Sequence, residues 1–159
     1  MTIKQSAPNE FKVRGKRVSI LISPQAAKIG DYEIGGPGEY EVNSVDVEVL
    51  NGISLFQIDE MTLVYFGDTK LSEISDEQLE KINGADILMI ATGGQSFKPE
   101  SISQVINQAE PKIVVIGGDK NINEIGKLEG ITPKRLDELK VAPGTLSQEE
   151  LKVIFLNVN

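Results

Sequence analysis

The chain of 159 residues has no histidine and no cysteine. A Ser-His-Asp triad, a thiolate nucleophile and a His-ligated zinc are therefore all excluded. General acid–base chemistry near neutral pH falls to carboxylates, lysines or tyrosines with displaced pKa values. A metal would find oxygen donors alone, so zinc is not expected, and Mg²⁺, Ca²⁺ or Mn²⁺ are the alternatives. Without cysteine there is no disulfide framework, which points to the cytoplasm. No apolar run is long enough to span a membrane, and residues 1–6 lack the apolar stretch of a signal peptide. Basic residues are also scarce. Lys and Arg number 16 against 24 Asp and Glu, and the net charge of −8 argues against a nucleic-acid partner. The one short basic run, Arg14-Gly15-Lys16-Arg17, falls where a hairpin turn is expected and reads as a solvated turn.

What is present fits one globular domain over residues 1–159, with 40% hydrophobic residues available for a core. Residues 11–13 and 18–22 flank the basic turn as a hairpin, and Ser23-Pro24 stops the second strand because proline cannot extend a ladder. Residues 25–38 read as irregular, punctuated by Gly30, Gly35, Gly36, Pro37 and Gly38. In residues 45–49 valines alternate with Asp46 and Glu48, placing valines inward and acids toward water. Asn51-Gly52 signals a turn from which residues 53–58 return. Glu60 suits a tight primed turn poorly, so the Asp59-Glu60 corner is expected to be wider than two residues.

The second half alternates helix and strand. Residues 61–69 hold a strand buried on both faces that ends at Gly67, with Asp68 at its carboxyl end. Asp68 reads first as a cap of the next loop, with metal ligand or general base as the chemical alternative. Ser75 and Gln78 form a capping box, and Gly84 can end that helix in the left-handed conformation. Residues 85–91 and 112–116 are two further buried strands, closing on Gly93-Gly94 and on Gly117-Gly118-Asp119. Between them Pro99 suits a first helical position, and Ile102, Val105, Ile106 and Ala109 make one apolar stripe before Pro111. Asn121 with Glu124 caps a short helix ending near Gly126 or Gly130. Residues 139–141 and 151–158 read as a final strand pair around Pro143-Gly144.

Three buried strands thus end in glycine-rich loops, where backbone N–H groups could cradle an anion or simply make tight turns. The candidate ligand-binding residues are Gly67, Asp68, Gly93, Gly94, Gly118 and Asp119, with Glu39 and Tyr40 from the Gly-Pro-Gly-Glu-Tyr loop as a possible wall of the pocket. No phosphate-binding motif of the G-x-x-x-x-G-K-[ST] or G-x-G-x-x-G kind accompanies them.

The runs Gly36-Pro37-Gly38-Glu39-Tyr40-Glu41-Val42, Phe66-Gly67-Asp68, residues 85–94 and residues 106–115, in that order, resemble the metallo-β-lactamase superfamily, in the branch of L-ascorbate-6-phosphate lactonase-like hydrolases. The opening residues 1–11 and 20–24 resemble that branch's first hairpin. The resemblance implies a truncated αββα sandwich with helices on its outer faces and a two-metal site at the rim. The chain departs from the family at nearly every implied ligand. Pro8 and Ser23 stand where a His and an Asp are expected, the His-rich segment between Pro24 and Gly36 is missing, and the last His falls near Gly118. Only Asp68 matches, as the carboxylate that would bridge two metals. The expectation is a non-catalytic, cofactor-free binding or assembly module. The alternative is a hydrolase-like enzyme or small-anion binder around Asp68, with an oxygen-ligated metal. A shortened helical cover would leave an apolar sheet face partly open, so a protein partner or homo-oligomer is expected as well.

Overall fold

Strand alternation sorts this chain into two sheets that bury one face against each other. The computed structural model describes residues 1–67, 73–92, 98–117, 122–147 and 149–159, with nothing said of the Ile122 side chain. One sheet contains β1 (Thr2–Ala7), β2 (Glu10–Arg14), β3 (Ser19–Ile22), β4 (Ala27–Ile29), β5 (Tyr32–Ile34) and β13 (Leu139–Lys140). Its order is β13-β1-β2-β3-β4-β5, antiparallel throughout. The other contains β6 (Gly38–Val42), β7 (Val45–Leu50), β8 (Ile53–Ile58), β9 (Met61–Phe66), β10 (Ile87–Ala91), β11 (Ile113–Gly117), β12 (Lys134–Leu136) and β14 (Lys152–Leu156). Its order is β12-β14-β11-β10-β9-β8-β7-β6. β6 to β9 form an antiparallel meander, and β9, β10, β11, β14 and β12 run parallel.

Two hydrophobic layers follow from this arrangement. Between the sheets, Ile3, Phe11, Val13, Ile20 and Ile22 meet Leu63, Tyr65, Met89, Val115 and Ile154. On the far side of the eight-stranded sheet, Val64, Phe66, Leu88, Ile90, Val114 and Phe155 pack against α1 (Asp76–Ile82), α2 (Pro99–Ala109) and α3 (Ile122–Glu129). The central parallel strands therefore bury both faces, and full burial of each such side chain contributes about 1.5–3 kcal/mol. The helix signals act as read. Ser75 and Gln78 close a reciprocal capping box, Gly84 turns at φ +74°, Pro99 occupies the first turn, and Ile102, Val105, Ile106 and Ala109 are all buried. α3 runs to Glu129, and Gly130, at φ +65°, follows it. No helix among the described residues is long and apolar enough to cross a membrane.

Four expectations are corrected. Residues 25–38 are not irregular throughout: β4 and β5 form a short hairpin around Gly30, which takes φ +59°. The Asp59-Glu60 corner is a tight two-residue turn. Ile58 pairs directly with Met61, and both turn residues adopt positive φ, 51° and 65°. The Asp59 carboxylate accepts from the Lys16 backbone N–H at 2.8 Å, a tertiary contact that offsets the unfavourable turn residues. The last strands do not pair with one another. β13 adds to β1, β14 adds in parallel to β11, and β12 covers the outer edge of β14. Finally, the outer face of the six-stranded sheet is not apolar, since Lys4, Lys12, Arg14, Lys28 and Lys140 project from it among the described residues. The helices are gathered on the other sheet.

The Asp59-Glu60 turn yields a direct prediction. Glu60 carries a side chain in the left-handed region, where glycine is at ease. Glu60→Gly is expected to raise stability by about 0.5–1 kcal/mol in urea denaturation, with the slope unchanged.

Candidate functional site

The parallel strands β9, β10 and β11 carry their carboxyl ends to one rim of the sandwich, and the pairing places those ends side by side. Ile90 pairs with Phe66 and Ala91 with Gly117. Just beyond, the Thr92 hydroxyl and backbone N–H both donate to the Gly117 carbonyl, at 2.6 and 3.1 Å. From the other sheet the β1–β2 turn and the end of β3 reach the same rim. The Tyr65 hydroxyl donates to the Asn9 carbonyl at 2.9 Å, and a Cβ on Gly67 would lie 3.5 Å from the Pro24 Cα. A crevice of about 190 Å³ opens there, bordered by Ser23, Pro24, Gly35, Gly52, Tyr65 and Gly67. Gly67 closes one side by donating its N–H to the Gly52 carbonyl at 2.9 Å.

Of the candidate residues, Gly67 lies at this rim. Asp68, Gly93, Gly94, Gly118 and Asp119 lie outside the described residues, as does Asn121. Glu39 and Tyr40 sit elsewhere. Glu39 projects from β6 onto the outer face of the eight-stranded sheet and lines a groove of about 460 Å³ with Glu41, Asp46 and Glu48. Tyr40 packs against the inter-sheet core and donates its hydroxyl to the Gly36 carbonyl at 2.8 Å, which ties down the Gly-Pro-Gly loop. Gly35 and Pro37 of that loop reach the crevice, whereas Glu39 and Tyr40 line the separate groove.

Of the positions implied as metal ligands, the two among the described residues, Pro8 and Ser23, do not fit a metal. Pro8 has no side-chain donor, and its carbonyl accepts the Gln5 side-chain amide at 2.9 Å. The Ser23 hydroxyl is committed to its own turn, donating to the Ala26 carbonyl at 3.0 Å and accepting the Ala26 N–H at 3.3 Å. Among the described residues no group of three or more Asp and Glu stands close enough to hold a metal ion.

Side chains that sequence reasoning passed over fill the rim instead. Gln5 is fully buried, and a Cβ on Gly117 would lie only 2.7 Å from its Nε2 and 2.9 Å from Phe11 Cζ. Phe11 in turn meets Tyr65 edge-on, with ring centroids 6.1 Å apart and planes at 74°. The alternation of Ile3 and Gln5 in β1 is the signal that places a glutamine at an inward position. Lys81 and Glu138 titrate away from their ordinary ranges. Lys81 is raised, chiefly by its hydrogen bond to Glu48, and Glu138 is lowered, chiefly by its bond from Lys140 and then from Lys4. Neither borders the crevice.

Comparison with known proteins places this geometry in context. Residues 1–116 match the model of a beta-lactamase superfamily domain. Among curated proteins no relative matches the chain. A crystal structure of a candidate Zn-dependent hydrolase of the metallo-β-lactamase superfamily from Thermotoga maritima superposes with a TM-score of 0.77 at 17% identity. The match covers 98% of each chain, so against this neighbour the chain is not shortened. At that identity the likeness is one of fold.

Proposed function

The chain belongs to the beta-lactamase superfamily, in its metallo-β-lactamase fold, and from that premise we propose that it is a non-catalytic binding or assembly module. The observation that carries this reading is the packing at the rim. Where the fold family would gather metal ligands, Gln5 and Phe11 close onto Gly117, Tyr65 meets Phe11 edge-on, and Pro8 and Ser23 supply no free donor. A useful metal site needs a converging set of ligands, and one carboxylate from the Asp68 position is not a set. The absence of histidine removes the donor that most often holds zinc with oxygen partners.

With no water-activating ion, a hydrolytic step would fall to a carboxylate base, which needs a raised pKa and a nearby substrate cradle. The described part of the crevice is small: the Ser23 and Tyr65 hydroxyls are already engaged, Gln25, Asn51 and Ser54 are its other polar side chains, and no carboxylate among the described residues lines it. Binding without turnover is therefore the better-supported use of this fold. Elemental analysis of protein purified without chelator is expected to find well under one Zn, Mn or Mg per chain. A stoichiometric metal would overturn the reading.

A further inference from the structure

The net charge of −8 conceals a division of charge between two sheet faces that look away from one another. Across the six-stranded sheet the register lines up Lys4, Lys12, Leu21, Lys28 and Glu33 in one row, and Lys140, Thr2, Arg14 and Ser19 in the next. Lys16 and Arg17 follow Arg14 in the β2–β3 turn. Glu138 bridges Lys4 and Lys140 at 3.0 Å each, and Glu33 meets Lys28 at 3.7 Å. Among the described residues Lys12, Arg14, Lys16 and Arg17 have no ion pair.

The outer face of β6, β7 and β8 is the reverse. Glu39 stands directly opposite Glu48, and Glu41 opposite Asp46, with Leu55, Gln57 and Thr62 beside them. Glu48 bonds to Lys81, but Glu39, Glu41 and Asp46 have no ion pair among the described residues.

Like charges directly across a strand pair destabilise a sheet, and this chain has Lys4 opposite Lys12 as well as both acidic pairs. Each face would relieve the other. We propose that the acidic face of one copy docks on the basic face of a second copy. Both surfaces share the sheet lattice, about 4.8 Å between strands and about 6.8 Å between same-face residues, so rows of opposite sign can lie in register. Leu21 and Leu55, half-buried within the rows, give an apolar contact between them. Because the faces point in opposite directions, the contact is head-to-tail and does not close on itself as a two-fold dimer does. The patch is only about 20 Å across, below the standard interface size, so the contact is weak and dependent on salt and concentration. A nucleic acid fits less well, since the chain as a whole repels it and the basic rows carry no aromatic side chain for stacking.

This inference rests on the assembly reading above and names its partner. Sedimentation of the full chain tests it. At about 50 mM salt the average mass is expected to rise with concentration beyond a dimer, and at about 500 mM to return to monomer. K12E/R14E and E39K/E41K are each expected to stay monomeric alone. Mixed in equal amounts they should associate, because each supplies one intact face and the two reversed faces are again opposite in sign. Melting curves verify folding, and K12Q/R14Q replaces the reversal if K12E/R14E unfolds. A monomeric native chain at low salt, an oligomer unaffected by the charge variants, or a mixture of folded variants that stays monomeric would overturn the proposal. So would a native chain that associates only with added duplex DNA. Metal content is measured separately, so failure here leaves the metal-free reading standing.

Discussion

Phe11→Ala is expected to destabilise the protein by about 3–5 kcal/mol, the range for emptying a fully buried aromatic site. The ring lies at the centre of the rim packing, edge-on to Tyr65 and close above Gly117, whose missing side chain makes room for it. Urea denaturation would show the loss as a lower midpoint with little change in slope. In the present account this packing, rather than a bound ion, ties the two sheets together at that end. The loss should therefore be the same with or without chelator. A destabilisation below about 1 kcal/mol would mean that the rim is not closed as described.

Asp86→Ala is expected to be almost as severe, at about 3 kcal/mol. The Asp86 carboxylate accepts from the Thr62 N–H at 2.8 Å and from the Lys112 ammonium at 2.6 Å, while its carbonyl accepts from the Ile113 N–H at 3.0 Å. One residue thereby fixes the starts of β9, β10 and β11, whose opposite ends build the rim. Its side chain is 15% exposed, so truncation leaves the Thr62 N–H without its partner and the Lys112 charge poorly solvated. Asp86→Asn keeps an acceptor for Thr62 and should lose less. Equal losses in the two variants, measured by urea denaturation, would show that the ion pair carries the whole effect.

These elements differ in how openly the sequence shows them. β9, β10 and β11 are largely apolar runs that each lead into a glycine, and that pattern belongs to strands buried on both faces. The α1 capping box and the α2 stripe are local signals and were equally plain. The β4–β5 hairpin was hidden because its strands have three residues each, too few for alternation to stand out among glycines. The tight Asp59-Glu60 turn runs against local preference and is held by a contact to Lys16, 43 positions away, which no local reading detects. The placement of β13 and β14 in different sheets is likewise a long-range choice, set by pairing with β1 and β11.

The candidate site was legible in part. The carboxyl ends of parallel strands do converge, and Gly67 lies among them. Glu39 and Tyr40 are separated from that rim by the alternation of β6, which turns Tyr40 to the core and Glu39 to the opposite face. The burial of Gln5 depends on Gly117, more than a hundred residues away, so it becomes visible only when the two sheets meet.

Whether the rim holds a metal is decided by the melting transition of the purified chain, and of Asp68→Ala, in excess Zn²⁺, Mn²⁺ and Mg²⁺. A specific ion at a hundredfold excess over its Kd would stabilise the native state by about 2.7 kcal/mol. No stabilisation by any of the three is expected, with native and variant chains responding alike. Stabilisation of that size in the native chain that disappears in Asp68→Ala would contradict the metal-free reading and restore a metal-dependent function to the rim.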